Sequence, residues 1–327
     1  MYADLKLEVI MKRRNKLLTL LLFSTNAALA TAFLNKVIKI KATQKNMLAP
    51  DLDSFFYSWR LGQVYYTKKG SGKPLLLIHD LNAASGSYEW NQMIPLLTEH
   101  YTVYTLDLLG CGRSEKVNTT YTNYLYVQLI TDFIKSEIGH RTDVIATGES
   151  CSIPIMACSN EPELFHHIML INPLKLSDFC QMPGKTAKFY KKIVDLPILG
   201  TLFYYIAVSK KFIQEDAVEN KFYNFSSIDS SWIDLCYEAS HTGLSPKSLY
   251  GSQKCNYTKC NINNSLKKVN NSICLVGGKE IKNISTNLEE YKTCNPAIEI
   301  FLIPETKYLP QWETPLKLFH LIKTYFC

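Results

Sequence analysis

The strongest constraint on this chain is a series of short apolar runs free of charge: Leu75–Ile78, Val103–Leu106, Val144–Ala146, Ile168–Ile171 and Ile273–Val276, with Ile298–Ile303 interrupted only by Glu299. Continuous runs of this length suit strands buried on both faces of a parallel sheet. Two further strand candidates precede them, Phe56–Arg60 and Val64–Thr67, with turn signals at Gly62 and at Gly70-Ser71-Gly72. Stretches between the runs, such as Tyr124–Ile138 and Trp312–Phe326, have helical spacing. The alternation predicts an α/β architecture with right-handed crossovers. Residues 175–268 break the pattern. They hold many aromatics, among them Phe203, Tyr204, Tyr205, Phe222 and Trp232, and no convincing core strand. They are predicted to form a mostly helical insertion over the C-terminal edge of the sheet, where such sheets bind ligands. The expected organisation is a basic N-terminus and linker over 1–54, a core over 55–174, the helical cap over 175–268, and the rest of the core over 269–327.

The formal charge is +7, and its position says more than its size. Residues 1–50 hold nine Lys or Arg against only Asp4 and Glu8, so the rest of the chain is balanced. A nucleic-acid binder carries its positive charge on the folded body. Here the charge flanks Leu17–Leu34, an apolar segment about 18 residues long that follows Lys12-Arg13-Arg14-Asn15-Lys16. That is just enough to cross a hydrocarbon core of ~30 Å at 1.5 Å per residue. The segment reads as an uncleaved membrane anchor, as a signal peptide cut after Ala28-Leu29-Ala30 (giving a secreted protein), or as an ordinary helix. Lys36, Lys39, Lys41 and Lys45 on its far side leave the orientation open. Of the ten cysteines, Cys255 and Cys260 lack a nearby histidine and read as packed thiols rather than as zinc ligands. No metal and no organic cofactor is expected.

Three ordered motifs follow the strand candidates. Leu75-Leu-Leu-Ile-His79-Asp80-Leu81 is a strand running into a turn, Asp107-Leu-Leu-Gly110-Cys-Gly112-Arg-Ser114 is a glycine-rich loop, and Thr147-Gly148-Glu149-Ser150-Cys151-Ser152 follows the Val144–Ala146 run. Together they resemble the α/β-hydrolase superfamily over roughly residues 60–325. The resemblance implies an α/β-hydrolase fold, a mostly parallel sheet flanked by helices with a helical cap and, in this chain, an N-terminal apolar helix. It also implies that Gly148-Glu149-Ser150-Cys151-Ser152 is the nucleophile elbow, with Ser150 lifted above the sheet on a sharp strand-to-helix turn. The backbone N–H groups of Leu81 and Cys151 would then hold the oxyanion. Ser152 stands where the family has a second glycine, and Asp80 where it has the glycine of a His-Gly turn.

The resemblance places an acid after the Ile273–Val276 strand, at Glu280, and a histidine in the stretch Thr306–Pro315. Pro310, Glu313 and Pro315 match the family pattern there, and the histidine slot holds Tyr308. A serine hydroxyl needs a base titrating near the working pH. Tyrosine titrates near 10, against ~6.5 for histidine. Among the seven histidines, only His241 falls where it could reach the pocket. Plainer readings stand beside each role: Ser150 as a small residue in a tight turn, Glu280 as a solvated carboxylate, and His241 as a packed residue of the cap.

Two functions are therefore expected. The first is a membrane-attached serine hydrolase acting on a small ester or similar acyl substrate, impaired or not by Tyr308. The second is a degenerate hydrolase-like protein that binds an apolar ligand or a partner.

Overall fold

The computed structural model describes residues 2–326, without the side chains of residues 2–10, 13, 17, 18 and 21. Eight strands make one sheet in the order β1-β2-β4-β3-β5-β6-β7-β8. They are β1 (Ser54–Trp59), β2 (Gly62–Lys69), β3 (Lys73–Ile78), β4 (Tyr101–Leu106), β5 (Thr142–Thr147), β6 (Phe165–Ile171), β7 (Ser272–Gly278) and β8 (Glu299–Ile303). β1–β2 and β2–β4 pair antiparallel. The pairs β4–β3, β3–β5, β5–β6, β6–β7 and β7–β8 are parallel.

The apolar runs are continuous because both faces of the sheet are covered. Leu76, Ile78, Val144, Ala146, Ile168, Leu170, Ile273 and Leu275 belong to one core cluster. Leu75, Leu77, Ile145, Met169, Ile171, Cys274 and Val276 belong to another, with Leu318 and Ile322 of the Pro315–Phe326 helix. Alternate residues of each strand thus serve opposite faces, as a pleat requires. Neither face can accept a charge without a partner.

The chain leaves β3 to one side for β4 and returns on the other side as β5. This reversal opens a crevice beyond the C-terminal ends of β3 and β5, where a doubly wound sheet takes its ligand. Between β6 and β7 the chain forms the helices Lys185–Asp195, Leu199–Ala207, Lys210–Asp216, Ser230–His241, Lys247–Lys254 and Asn263–Lys268, with no strand.

The N-terminal helix, Tyr2–Thr43, runs 42 residues, about 63 Å at 1.5 Å per residue. Its C-terminal part packs on the cap. Asn35 Nδ2 donates to Ile198 O (3.0 Å), Lys39 Nζ donates to Gly243 O (2.6 Å), and Lys45 just beyond pairs with Asp234. Among the described residues no single helix is long and apolar enough to cross a membrane. Part of the predicted anchor, Leu17, Leu18 and Leu21, has side chains outside that description.

Candidate functional site

The turn at the end of β5 sets the site. β5 ends at Thr147, Gly148 has φ +59°, and a short helical turn, Gly148–Cys151, leads into the Ser152–Asn160 helix. The left-handed apex of the strand-to-helix turn is therefore Gly148. Ser150 lies two residues further on, fully buried, and its Oγ has no hydrogen-bond partner. This differs from the elbow register expected from the sequence. There Gly148 is read as the small residue flanking the turn; in the structure the small flanking residues are Ala146 and Ser150, both buried. Positive φ is what places a glycine at the apex, and a G-x-S match does not report φ.

A Cβ on Gly148 would overlap Asp80 Oδ1 and lie 2.6 Å from the Tyr308 hydroxyl. The space of an apex side chain is thus filled by the Asp80 carboxylate and the Tyr308 phenol. The Asp80 oxygen Oδ1 accepts the Glu149 N–H (2.9 Å), and Oδ2 lies 3.5 Å from Lys221 Nζ. With Gly148 at the apex, the backbone donor that follows it belongs to Glu149 rather than Cys151, and it already holds a carboxylate. Cys151 is instead packed inward, its thiol directed at the Ala146 and Ile171 carbonyls. Leu81, the other expected oxyanion donor, is buried in the turn after β3, and its carbonyl accepts from Gln253 Nε2. His79 braces that turn: its Nε2 accepts from the Leu108 N–H (2.9 Å), so its Nδ1–H donates to Asp80 O (2.7 Å).

Tyr308 does sit beside the apex. Its N–H donates to Lys221 O (3.0 Å), and Lys221 Nζ lies 4.0 Å from its ring centre. Asn172, at the end of β6, donates through Nδ2 to the Lys307 and Tyr308 carbonyls (3.1 and 3.0 Å) and accepts the Gly278 N–H (2.8 Å). One amide thereby ties the loops after β6, β7 and β8 together. Glu313 ties the loop after β8 to the cap, accepting from Lys307 N and from the cap residues Tyr223 and Asn224. Burial first, then the nearby Asp80 charge, pushes the Tyr308 hydroxyl well above the usual tyrosine range. It is a proton donor at neutral pH and no base.

Glu280 does not join this cluster. It is exposed, and among the described residues its side chain makes no hydrogen bond or ion pair; its backbone N–H donates to Thr306 O (3.2 Å). The neighbouring Ile281 packs on the core, which holds this stretch of backbone with Glu280 at the surface. His241 is no substitute base either. It is buried, stacked on Tyr205 with ring centres 4.6 Å apart, and bonded through Nδ1 to Tyr237 O. Burial pulls its pKa down to about 4.

Two adjoining cavities open above this cluster. The larger, about 440 Å³, is lined by Ser85, Glu89, Glu149, Phe212, Trp232 and Gln253 among others. The smaller, about 280 Å³, reaches Asp80, Glu149, Lys221 and Tyr308. Ser150 lines neither. Sequence reasoning passed over Glu149, Glu89 and Lys221. Glu149 borders both cavities and accepts from Thr258 and Gln253, while burial pushes its carboxyl up to about 6. Glu89 accepts the Asp80 N–H (3.1 Å); burial, then the Asp80 charge, lifts it to about 7. Burial opposes charge on Lys221, but Asp80 and its acidic neighbours hold it above the usual lysine value. Lys221 is therefore the counter-ion of the cluster, and no motif marks it. Among the described residues one further group converges ligand-type atoms, Asp143 with His166 and His167, at the opposite end of the sheet from the cavities.

Comparison with known proteins agrees with this framework. A 72-residue stretch is 38% identical to a 2-hydroxy-6-oxo-6-(2'-aminophenyl)hexa-2,4-dienoic acid hydrolase of Metapseudomonas resinovorans, covering 22% of this chain and 25% of that one. A 59-residue stretch is 42% identical to a soluble epoxide hydrolase of Corynebacterium sp. (strain C12), covering 18% and 20%. The chain thus matches no more than a quarter of the length of either relative. Among solved structures, a serine hydrolase involved in carbazole degradation superposes with a TM-score of 0.68 at 18% identity, over 84% of this chain and 98% of that one. These neighbours are hydrolases, and a model of the alpha/beta hydrolase family matches residues 75–240, half the chain. By sheet order, by the turns after β3, β4 and β5, and by that match, the chain belongs to the alpha/beta hydrolase family.

Proposed function

We propose that this chain is a membrane-attached alpha/beta hydrolase family member that binds a small ligand in the cavity beneath its cap and does not hydrolyse esters through Ser150. One observation carries the reading: the apex of the strand-to-helix turn is Gly148, and its side-chain space is taken by Asp80. A nucleophile must stand within reach of a substrate and of a base. Ser150 has neither, since it is buried, unpartnered and away from both cavities. The backbone donor that would stabilise an oxyanion is bonded to a carboxylate, which repels one. Membrane attachment rests on the exposed Leu20, Leu22, Phe23, Leu29, Phe33 and Leu34 of the N-terminal helix. Incubation with a fluorophosphonate probe tests the loss of serine chemistry. No covalent adduct at Ser150 is expected; an adduct that disappears in Ser150→Ala overturns the reading.

A second reading follows from Asp80 itself. Its carboxylate occupies the volume of the missing apex side chain, with the Tyr308 phenol beside it. A carboxylate and a protonated phenol suit attack on a strained electrophile such as an epoxide: Asp80 oxygen bonds carbon, the carbon–oxygen bond opens, and Tyr308 protonates the released alkoxide, which is the stronger base. Both Asp80 oxygens already hold partners, Glu149 N–H and Lys221, which weakens them as nucleophiles. Mass spectrometry after incubation with styrene oxide separates the readings, because only the second predicts an ester on Asp80.

A further inference from the structure

The cap carries an apolar surface that the ligand cavity does not use. On the Lys185–Asp195 helix, Phe189 and Ile193 are one turn apart and exposed, Phe189 at 66%. On the Leu199–Ala207 helix, Leu199, Phe203 and Ile206 follow at four- and three-residue spacing, so they share one exposed face. The two helices meet at a bend of 105°, and the bent pair, continued to Lys221, is together long and apolar enough for a membrane-embedded segment. Lys185, Lys188 and Lys192 are exposed beside Phe189 and Ile193.

The N-terminal helix says what covers this surface. Leu22 and Phe23 point ~100° apart around a helix axis, as do Phe33 and Leu34, and all four are exposed. With Leu20 and Leu29 they spread over about half of the circumference at ~100° per residue, an apolar arc wider than a single protein groove covers and one that a lipid surface matches. That helix joins the body where Asn35 bonds the Ile198 carbonyl. Leu199 is the next residue, so a bilayer receiving the N-terminal helix lies against the cap at that point. The charge agrees, because residues 1–50 carry all of the +7 and the neighbouring cap helix adds its own row of lysines. An anionic leaflet attracts such a surface.

We propose that the helices Lys185–Asp195 and Leu199–Ala207 dock the cap on an anionic phospholipid bilayer, forming a second contact beside the N-terminal helix. The proposal rests on the membrane attachment inferred above and adds the cap to it. Phe189, Ile193, Leu199, Phe203 and Ile206 enter the acyl boundary, and Lys185, Lys188 and Lys192 meet the headgroups.

The test uses the full chain with phosphatidylcholine vesicles, with and without phosphatidylglycerol. Hydrogen exchange should show vesicle protection over residues 185–206 as well as over the N-terminal helix. Leu199→Glu with Phe203→Glu, both at exposed positions, should weaken partitioning on the order of tenfold or more. Lys188→Glu with Lys192→Glu should reduce the preference for phosphatidylglycerol severalfold, the basic residues of 1–50 keeping the remainder. If the N-terminal helix is protected while 185–206 exchanges as in free protein, and Leu199→Glu/Phe203→Glu partitions normally, the cap proposal is overturned and membrane attachment stands. If the chain binds neither vesicle, both fall.

Discussion

Two glycine turns at the same edge of the sheet put a carboxylate where a side chain is missing, and they put it to different use. After β4, a Cβ on Gly112 (φ +44°) would overlap the Asp107 carboxylate. Asp107 accepts the backbone N–H groups of Ser87 (2.5 Å) and Arg113 (2.7 Å), and is fully buried. After β5, a Cβ on Gly148 would overlap the Asp80 carboxylate in the same way. Asp80, however, has one backbone donor and one lysine, and it borders a cavity. The first turn is a closed clamp that welds two loops. The second is a charged site that faces a cavity. The difference lies in where the compensating positive charge comes from: two backbone N–H groups and the Arg113 guanidinium of the same loop (3.6 Å) for Asp107, and one backbone N–H with a lysine contributed by the cap for Asp80.

The largest effect is expected at the clamp. Asp107→Ala leaves two buried backbone donors unpaired and should cost roughly 3–5 kcal/mol, read as a lower urea midpoint at unchanged slope. At the second turn, Lys221→Met strands the Asp80 carboxylate. The lysine keeps some solvent contact, so the expected loss is smaller, about 2–3 kcal/mol at neutral pH. Asp80→Asn in the Lys221→Met background should recover most of it, and a double-mutant cycle showing additivity would deny that the two residues are paired.

Glu89 and Glu149 titrate in the fold at about 7 and about 6, above their unfolded values. The folded state therefore binds more protons than the unfolded state between pH ~4.5 and those values. The stability they contribute is fully present below pH ~4.5 and is lost as the pH rises toward 6 and then 7. Glu149→Gln should flatten thermal stability across that window by on the order of 1–2 kcal/mol. An unchanged slope between pH 5 and 7 would show that the Glu149 carboxyl is not raised. The smallest effect is expected at Ser150. Its Oγ already lacks a partner, so Ser150→Ala should move stability by less than ~1 kcal/mol in either direction and leave ligand binding unaltered.

Much of this was legible from sequence. The six apolar runs and the two strand candidates ahead of them predict eight strands, and the structure has strands at all eight places. Tyr308 lies beside the apex because Pro310 and Glu313 hold its loop, Pro310 opening the short helix and Glu313 bonding Lys307. Other residues were misplaced for identifiable reasons. Gly148-Glu149-Ser150 matches a motif by residue type, but the apex is decided by where β5 stops pairing with β6, at Thr147 opposite Ile171. Glu280 has a suitable spacing from the strand, but its side chain stays at the surface while Ile281 beside it meets the core. His241, by contrast, is the packed cap residue that the plainer reading has it to be, its ring stacked within the cap instead of facing a cavity.

The sequence by itself determined the layered α/β architecture, the order of its strands along the chain and the place of the helical insertion, because continuous apolar patterning has few ways to be buried. Only the tertiary structure decided the chemistry. Which glycine takes positive φ, which carboxylate fills the space above it and which lysine balances that charge depend on contacts between residues 80, 148, 221 and 308. Residues so far apart in the chain leave no local pattern for a sequence reading to find.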